Sequence, residues 1–217
     1  MRVDLAGPAG RLEAMVEGPD SPSFAAVVCH PHPAMGGTMH NHATYRLAKA
    51  VVARGGAALR FNFRGVGRSA GVYDAGRGEV DDARAALDWI AAARPGVPLL
   101  GCGFSFGAWM TTIACGDDAR VAGLLLAGVA LRVEGLEDFR RTGRIRDLEK
   151  PVAVVQAADD TLGPPDELEA ALAGSRGPRR LAVVPGATHL FVEALPALQH
   201  EAEAALDWLL AAPGGAP

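Results

Sequence analysis

Gly103-Phe104-Ser105-Phe106-Gly107 is the stretch on which the reading of this chain turns. Val97, Leu99 and Leu100 lead into it, and Ala108-Trp109-Met110-Thr111-Thr112-Ile113-Ala114 leads out. The first run is short, carries Pro98 and ends in glycine, as a buried parallel strand does, whereas the second can continue as a helix. A serine between two glycines at a strand-to-helix junction reads as a nucleophile elbow. The turn is sharp, and flanking side chains would collide with the neighbouring strand and helix. It lifts the hydroxyl clear of the sheet and sets it at a helix N-terminus, where unpaired N–H groups and the helix dipole favour developing negative charge. An ordinary turn serine is the plainer reading, since small residues surround many positions in a chain with 27 glycines. The remainder of the sequence decides between the two.

A serine hydroxyl is a poor nucleophile at neutral pH and needs a base, an orienting acid and an oxyanion hole. In an elbow of this type the acid and then the histidine follow the serine along the chain. Residues 151–156 form a β-branched, buried-strand pattern, and Ala157-Ala158-Asp159-Asp160-Thr161 follows its carboxyl end. Residues 180–184 form another, followed by Pro185-Gly186-Ala187-Thr188-His189-Leu190-Phe191. Both candidate partners thus lie just past the carboxyl end of a strand, where open α/β sheets place their sites. The strand at 121–127 offers no competing acid, because Gly128-Val129-Ala130-Leu131 carries no carboxylate.

Around this core the chain alternates strand and helix. Strands are expected at 11–17, 24–29, 57–63, 121–127, 152–156 and 180–184, besides the one entering the elbow. Helices are expected at 43–54, 80–93, 166–173 and 198–210, besides the one leaving it. In the 80–93 helix, Val80, Ala83, Leu87 and Ile90 share a face, and Glu79, Asp81 and Asp82 fill the expected first turn. A hydrophobic fraction of 49% suits a parallel sheet covered on both faces. The 217 residues fit a single domain over 1–210 with a disordered tail at 211–217. The net charge of −4 leaves no basic footprint for nucleic acid. No run approaches the ~20 apolar residues of a membrane span, and Met1-Arg2-Val3-Asp4-Leu5 lacks a signal core, so a cytoplasmic protein is expected. Cys29, Cys102 and Cys115 lie in or beside apolar segments and read as reduced core thiols.

Other features admit different chemistry. Gly65-Val66-Gly67 follows a strand, as a phosphate loop does, but matches no dinucleotide fingerprint and reads as a structural turn that a paired Arg64 holds. His30, His32, His40 and His42 cluster, and neutral imidazoles can ligate zinc, yet no cysteine or carboxylate joins them at ligand spacing, so no metal is expected. His200 reads as solvated.

Cys29-His30-Pro31-His32-Pro33, Gly36-Gly37-Thr38-Met39 with Asn41, the run from Phe61 to Gly71, and segments 76–82, 103–108, 156–160 and 186–191 form one pattern. Over nearly its whole length the chain resembles a small bacterial α/β-hydrolase of the serine-hydrolase superfamily, related to dienelactone hydrolases and peptidase-like enzymes. The resemblance implies an α/β-hydrolase fold, a mostly parallel, doubly wound sheet of about eight strands with helices on both faces. It departs at His40 and His42, where an acidic and a basic residue are expected, and at Ala157, which replaces a glycine. Setting Ala157 in the place of that glycine makes Asp160 the acid, with Asp159 second. Pro164 and Pro165 would then open the next helix.

The same resemblance implies a catalytic set of Ser105, Asp160 and His189, with the backbone N–H groups of Phe106 and His32 as oxyanion donors. Pro31 and Pro33 beside His32 have no N–H to give. Larger relatives carry a lid where this chain has residues 129–150, room for about one short helix. An open, shallow site for small or end-on substrates is therefore expected. The implied activity is hydrolysis of small carboxylic esters or thioesters through an acyl-enzyme, with a small-molecule acyl substrate and no cofactor. Lactone or peptide hydrolysis would use the same machinery, and a non-catalytic binding module would need none of it. A serine nucleophile argues against dehalogenase or epoxide-hydrolase chemistry, which places aspartate there.

Overall fold

The structure, a computed structural model, describes residues 1–132 and 145–212. Its strands are β1 (Arg2–Gly7), β2 (Gly10–Glu17), β3 (Ala25–Cys29), β4 (Ala57–Phe61), β5 (Leu99–Phe104), β6 (Val121–Ala127), β7 (Val152–Ala157) and β8 (Arg179–Val184). Its helices are α1 (His42–Ala53), α2 (Arg77–Ala93), α3 (Phe106–Cys115), α4 (Pro165–Leu172) and α5 (Leu195–Ala211). The eight strands form one sheet in the order β1-β2-β4-β3-β5-β6-β7-β8. β3 to β8 run parallel, while β1 and β2 add an antiparallel ribbon at one edge.

β3, β5 and β6 carry no charged, hydroxyl or amide side chain because both faces of the sheet are covered there. Ala25, Val27 and Cys29 of β3 face one core, together with Leu87 and Ile90 of α2 and Met110 of α3. Ala26 and Val28 face the other, shared with Leu47 and Val51 of α1 and Leu206 and Leu209 of α5. All three cysteines are free and buried. Among the described residues no helix is long and apolar enough to cross a membrane.

Several boundaries differ from the sequence expectation, each for a local reason. β1 was not expected at all. It is an edge strand that buries only Leu5, opposite Leu12 of β2, so its side chains carry almost no periodic signal. α2 begins at Arg77 rather than residue 80, because the buried Glu79 carboxylate accepts from Gly76 N at 2.7 Å and Asp74 N at 2.9 Å. Only Glu79 therefore lies in the first turn, and Asp82 instead receives the Arg64 guanidinium at 2.7 and 3.0 Å. That pair holds the turn that follows β4. β4 itself ends at Phe61: Asn62 N still donates to Glu13 O of β2 at 2.8 Å, but its carbonyl accepts from Ser69 Oγ at 2.7 Å and Phe63 N donates to His30 Nε2, both outside the ladder. α5 starts at Leu195 because proline is tolerated in a first turn and Pro196 sits there. Of the expected tail, residue 211 belongs to this helix and Ala212 caps it, while 213–217 lie outside the described residues. So does 133–144 of the expected cap; on its flanks Val129 and Ala130 are buried and residues Ile145–Asp147 make one 3-10 turn.

Candidate active site

The carboxyl ends of β3, β5, β7 and β8 converge on one spot. At its centre Ser105 caps α3 with φ 55° and ψ −119°, a conformation that non-glycine residues seldom adopt. Its N–H donates to Ala127 O at 2.9 Å, and its carbonyl accepts from Ala108 N at 2.9 Å. The flanking glycines have a direct cause. A Cβ on Gly103 would lie 2.2 Å from Gly107 O, and one on Gly107 would lie 2.3 Å from Cys29 O. Strand, turn and helix are packed so closely there that no side chain fits.

His189 reaches the serine from the loop after β8. Its Nε2 lies 2.9 Å from Ser105 Oγ, and its Nδ1 lies 2.8 Å from Asp160 Oδ2. The ring packs on Phe104, with centroids 5.6 Å apart. Asp160 is buried, and its carboxylate accepts from Leu162 N at 2.9 Å, Gly163 N at 3.1 Å and Gln156 Nε2 at 2.9 Å. With three donors already on it, the carboxylate accepts the Nδ1–H of His189 as a fourth hydrogen bond. The lone pair of the imidazole then sits on Nε2 and faces the serine hydroxyl. Asp159, the second candidate, is exposed, and its N–H donates to Ala187 O at 2.9 Å, joining the end of β7 to the histidine loop.

Phe106, the residue after the serine, and His32 line the same pocket as Ser105. Neither of their backbone N–H groups has an acceptor among the described residues. The loop carrying His32 is fixed from below by His30. Phe63 N donates to His30 Nε2 at 3.1 Å, so Nδ1 holds the proton and donates to Pro31 O at 2.6 Å. Burial pushes the His30 pKa down to about 4, so the ring remains a neutral brace. Farther along the loop, Asn62 Oδ1 accepts from Met39 N at 2.8 Å and Arg60 Nη1 donates to Met39 O at 2.6 Å. With both ring nitrogens of His30 occupied and His40 and His42 exposed, the histidine cluster does not converge. Among the described residues no group of three His, Cys, Asp or Glu side chains is placed to hold a metal.

A pocket of about 430 Å³ opens above Ser105 and His189. Met35, Phe106, Leu162 and Leu190 give it apolar walls, and Asn41 and Arg132 are polar at its edge. Arg132 is ion-paired with Glu167. A larger, polar cavity of about 650 Å³ lies at the opposite end of the sheet, by the C-terminus of α3 and the start of β6. Lys150 there donates to the carbonyls of Cys115, Asp118 and Val121, a role in holding the fold.

Gln156 is the site residue that sequence reasoning missed. Besides Asp160, its amide donates to Gly163 O at 2.7 Å and accepts from Val129 N at 2.9 Å, so it fixes both loops beside the acid. The available signal was an amide at the end of an otherwise apolar buried strand, since a buried polar side chain must find partners.

The family model described as "Alpha/beta hydrolase domain" matches residues 25–207. An alpha-beta serine hydrolase homologue from Coxiella burnetii is 34% identical, with a TM-score of 0.85 over 95% of this chain and 97% of its own. A putative alpha/beta hydrolase from Agrobacterium tumefaciens is 32% identical, with a TM-score of 0.85 over 97% and 96%. An α/β serine hydrolase without lid from Xanthomonas campestris is 31% identical, with a TM-score of 0.83 over 98% and 96%. An uncharacterized protein of Rickettsia prowazekii is 48% identical over 106 residues, which span 48% of this chain and 44% of that protein. Fold, family model and these likenesses agree, and the chain belongs to the alpha/beta hydrolase family.

Proposed function

We propose that the protein is a serine hydrolase that cleaves small carboxylic esters or thioesters through an acyl-enzyme on Ser105. The observation that carries this reading is the continuous hydrogen-bond relay from Ser105 Oγ to His189 at 2.9 Å and from His189 to Asp160 at 2.8 Å. Ser105 Oγ attacks the substrate carbonyl while His189 Nε2 takes its proton. Asp160 stabilises the imidazolium without itself being protonated. The N–H groups of Phe106 and His32 hold the oxyanion, each worth roughly 3 kcal/mol of transition-state stabilisation. Collapse of the tetrahedral intermediate expels the alcohol or thiol, which leaves with the proton from His189. Water then attacks the acyl-serine with His189 again as base, releasing the acid and restoring Ser105. Serine, histidine and water carry every proton, so these steps require no cofactor.

The apolar walls formed by Met35, Phe106, Leu162 and Leu190 favour an apolar substrate, and we take its acyl group to be short. The p-nitrophenyl esters of acetate, butyrate and decanoate test this. The acetate and butyrate are expected to react with kcat/KM about ten-fold or more above the decanoate, because a ten-carbon chain that overruns the apolar walls holds the ester carbonyl off its productive position at Ser105. Faster turnover of the decanoate would contradict the small-acyl reading, and no turnover of any ester would contradict ester hydrolysis.

A further inference from the structure

His32 contributes more to the site than a backbone N–H. Its ring is half-buried between two others, with centroids 5.0 Å from Tyr73 and 5.0 Å from Phe106. Both ring nitrogens are engaged. Ala34 N–H donates to Nδ1 at 3.2 Å, so Nδ1 carries the lone pair and the ring proton sits on Nε2. That N–H faces the Tyr73 hydroxyl and donates to its oxygen at 3.0 Å. Burial lowers the His32 pKa, which favours the neutral ring that this pattern needs.

The tether matters because of where His32 sits. Its carbonyl accepts from Met35 N at 3.1 Å and Gly37 N at 3.0 Å, closing a tight turn on one side of the peptide. On the other side, Tyr73 belongs to a separate segment whose next residue, Asp74, is anchored through its N–H to the buried Glu79 carboxylate at 2.9 Å. Tyr73 also packs on Phe106, at 6.2 Å between centroids. The two residues whose backbone N–H groups stand unpaired beside Ser105 are therefore joined ring to ring, with Tyr73 against both. An oxyanion donor is effective only when held about 2.7–3.1 Å from the position that the oxyanion will occupy.

We infer that Tyr73 is a positioning residue: through the Nε2–H of His32, its hydroxyl holds the His32 peptide N–H on the developing oxyanion. The inference rests on the acyl-transfer reading above and adds to it a residue outside the Ser105–His189–Asp160 relay. A group acting through the oxyanion affects the transition state rather than substrate binding, so its loss appears in kcat and not in KM.

Tyr73→Phe removes the hydroxyl and keeps the ring contacts. With p-nitrophenyl acetate, kcat is expected to fall about ten-fold while KM stays within about two-fold. Affinity for an aryl trifluoromethyl ketone, which forms an oxyanionic adduct on the serine, is expected to fall by a similar factor. His32→Asn keeps a side-chain oxygen that can accept the Ala34 N–H but gives up the contact with Tyr73. Because it also gives up the ring contacts with Tyr73 and Phe106, it is expected to lose at least as much kcat as Tyr73→Phe, and the double variant to lose no more than His32→Asn alone, since the bond to the Tyr73 hydroxyl is already gone there. A Tyr73→Phe protein with wild-type kcat and wild-type ketone affinity would overturn the inference, even with a lowered Tm. A rise in KM at constant kcat would also overturn it, by making Tyr73 a wall of the pocket. Failure of the wild-type protein to hydrolyse the ester or to bind the ketone would remove the acyl-transfer reading itself, and this inference with it.

Discussion

Ser105→Gly is expected to abolish hydrolysis and yet to give a more stable protein than Ser105→Ala. Both variants lose the hydroxyl, and kcat/KM should fall about a million-fold in each, the usual cost of removing an acyl-transfer nucleophile. They differ in the backbone. Residue 105 has φ 55° and ψ −119°, which costs a side-chain-bearing residue about 1–3 kcal/mol and glycine little. Glycine's greater freedom in the unfolded chain takes back about 0.5–1 kcal/mol. A net advantage of about 1 kcal/mol remains, or about 2–4 °C in Tm for a protein of this size. Thermal unfolding of the two variants measures it directly. An alanine variant as stable as the glycine variant would show that the turn is not strained. Hydrolysis by either variant at more than a few per cent of wild type would remove Ser105 from the chemistry.

Asp160→Asn is expected to lower kcat/KM about ten-thousand-fold by reversing the imidazole tautomer. The carboxylate takes four N–H donors, from Leu162, Gly163, Gln156 and His189. An asparagine must turn its NH₂ either toward the two backbone N–H groups or toward Gln156 and His189. In the second orientation His189 Nδ1 becomes an acceptor, its proton moves to Nε2, and the ring can no longer take the serine proton. In the first, two buried N–H groups lose their acceptor, at roughly 1–3 kcal/mol each in stability. The second orientation should prevail, so the variant should stay folded and almost inactive. Asp159→Asn, at an exposed position one residue away, is expected to change kcat/KM less than about three-fold. Comparable losses in both variants would contradict the role proposed for Asp160.

The parts of this molecule that were legible in the sequence are those governed by local rules. The two-sided apolar strands announce a covered parallel sheet, and Gly103 and Gly107 are legible because backbone contact excludes any side chain there. Order after the strands pointed to Ser105, to the Asp159–Asp160 pair and to His189, and the family resemblance chose Asp160; the structure brings Ser105, His189 and Asp160 within hydrogen-bonding distance. What escaped depends on long-range partners. Leu5 gives no periodic signal because β1 buries little else, and the start of α2 is set by Glu79 reaching back to Asp74 and Gly76. Gln156, His30 and Tyr73 act through side-chain hydrogen bonds to segments distant in sequence or to loop backbone, and no spacing rule predicts those.

The claim on which everything else rests is that Ser105 is an activated nucleophile. Incubating the wild-type protein with a fluorophosphonate probe and mapping the modified peptide by mass spectrometry tests it most directly. One equivalent of adduct on Ser105, absent from Ser105→Ala and much slowed in Asp160→Asn, is the predicted result. A well-folded wild-type protein that takes no label, or takes it on another residue, would contradict the account.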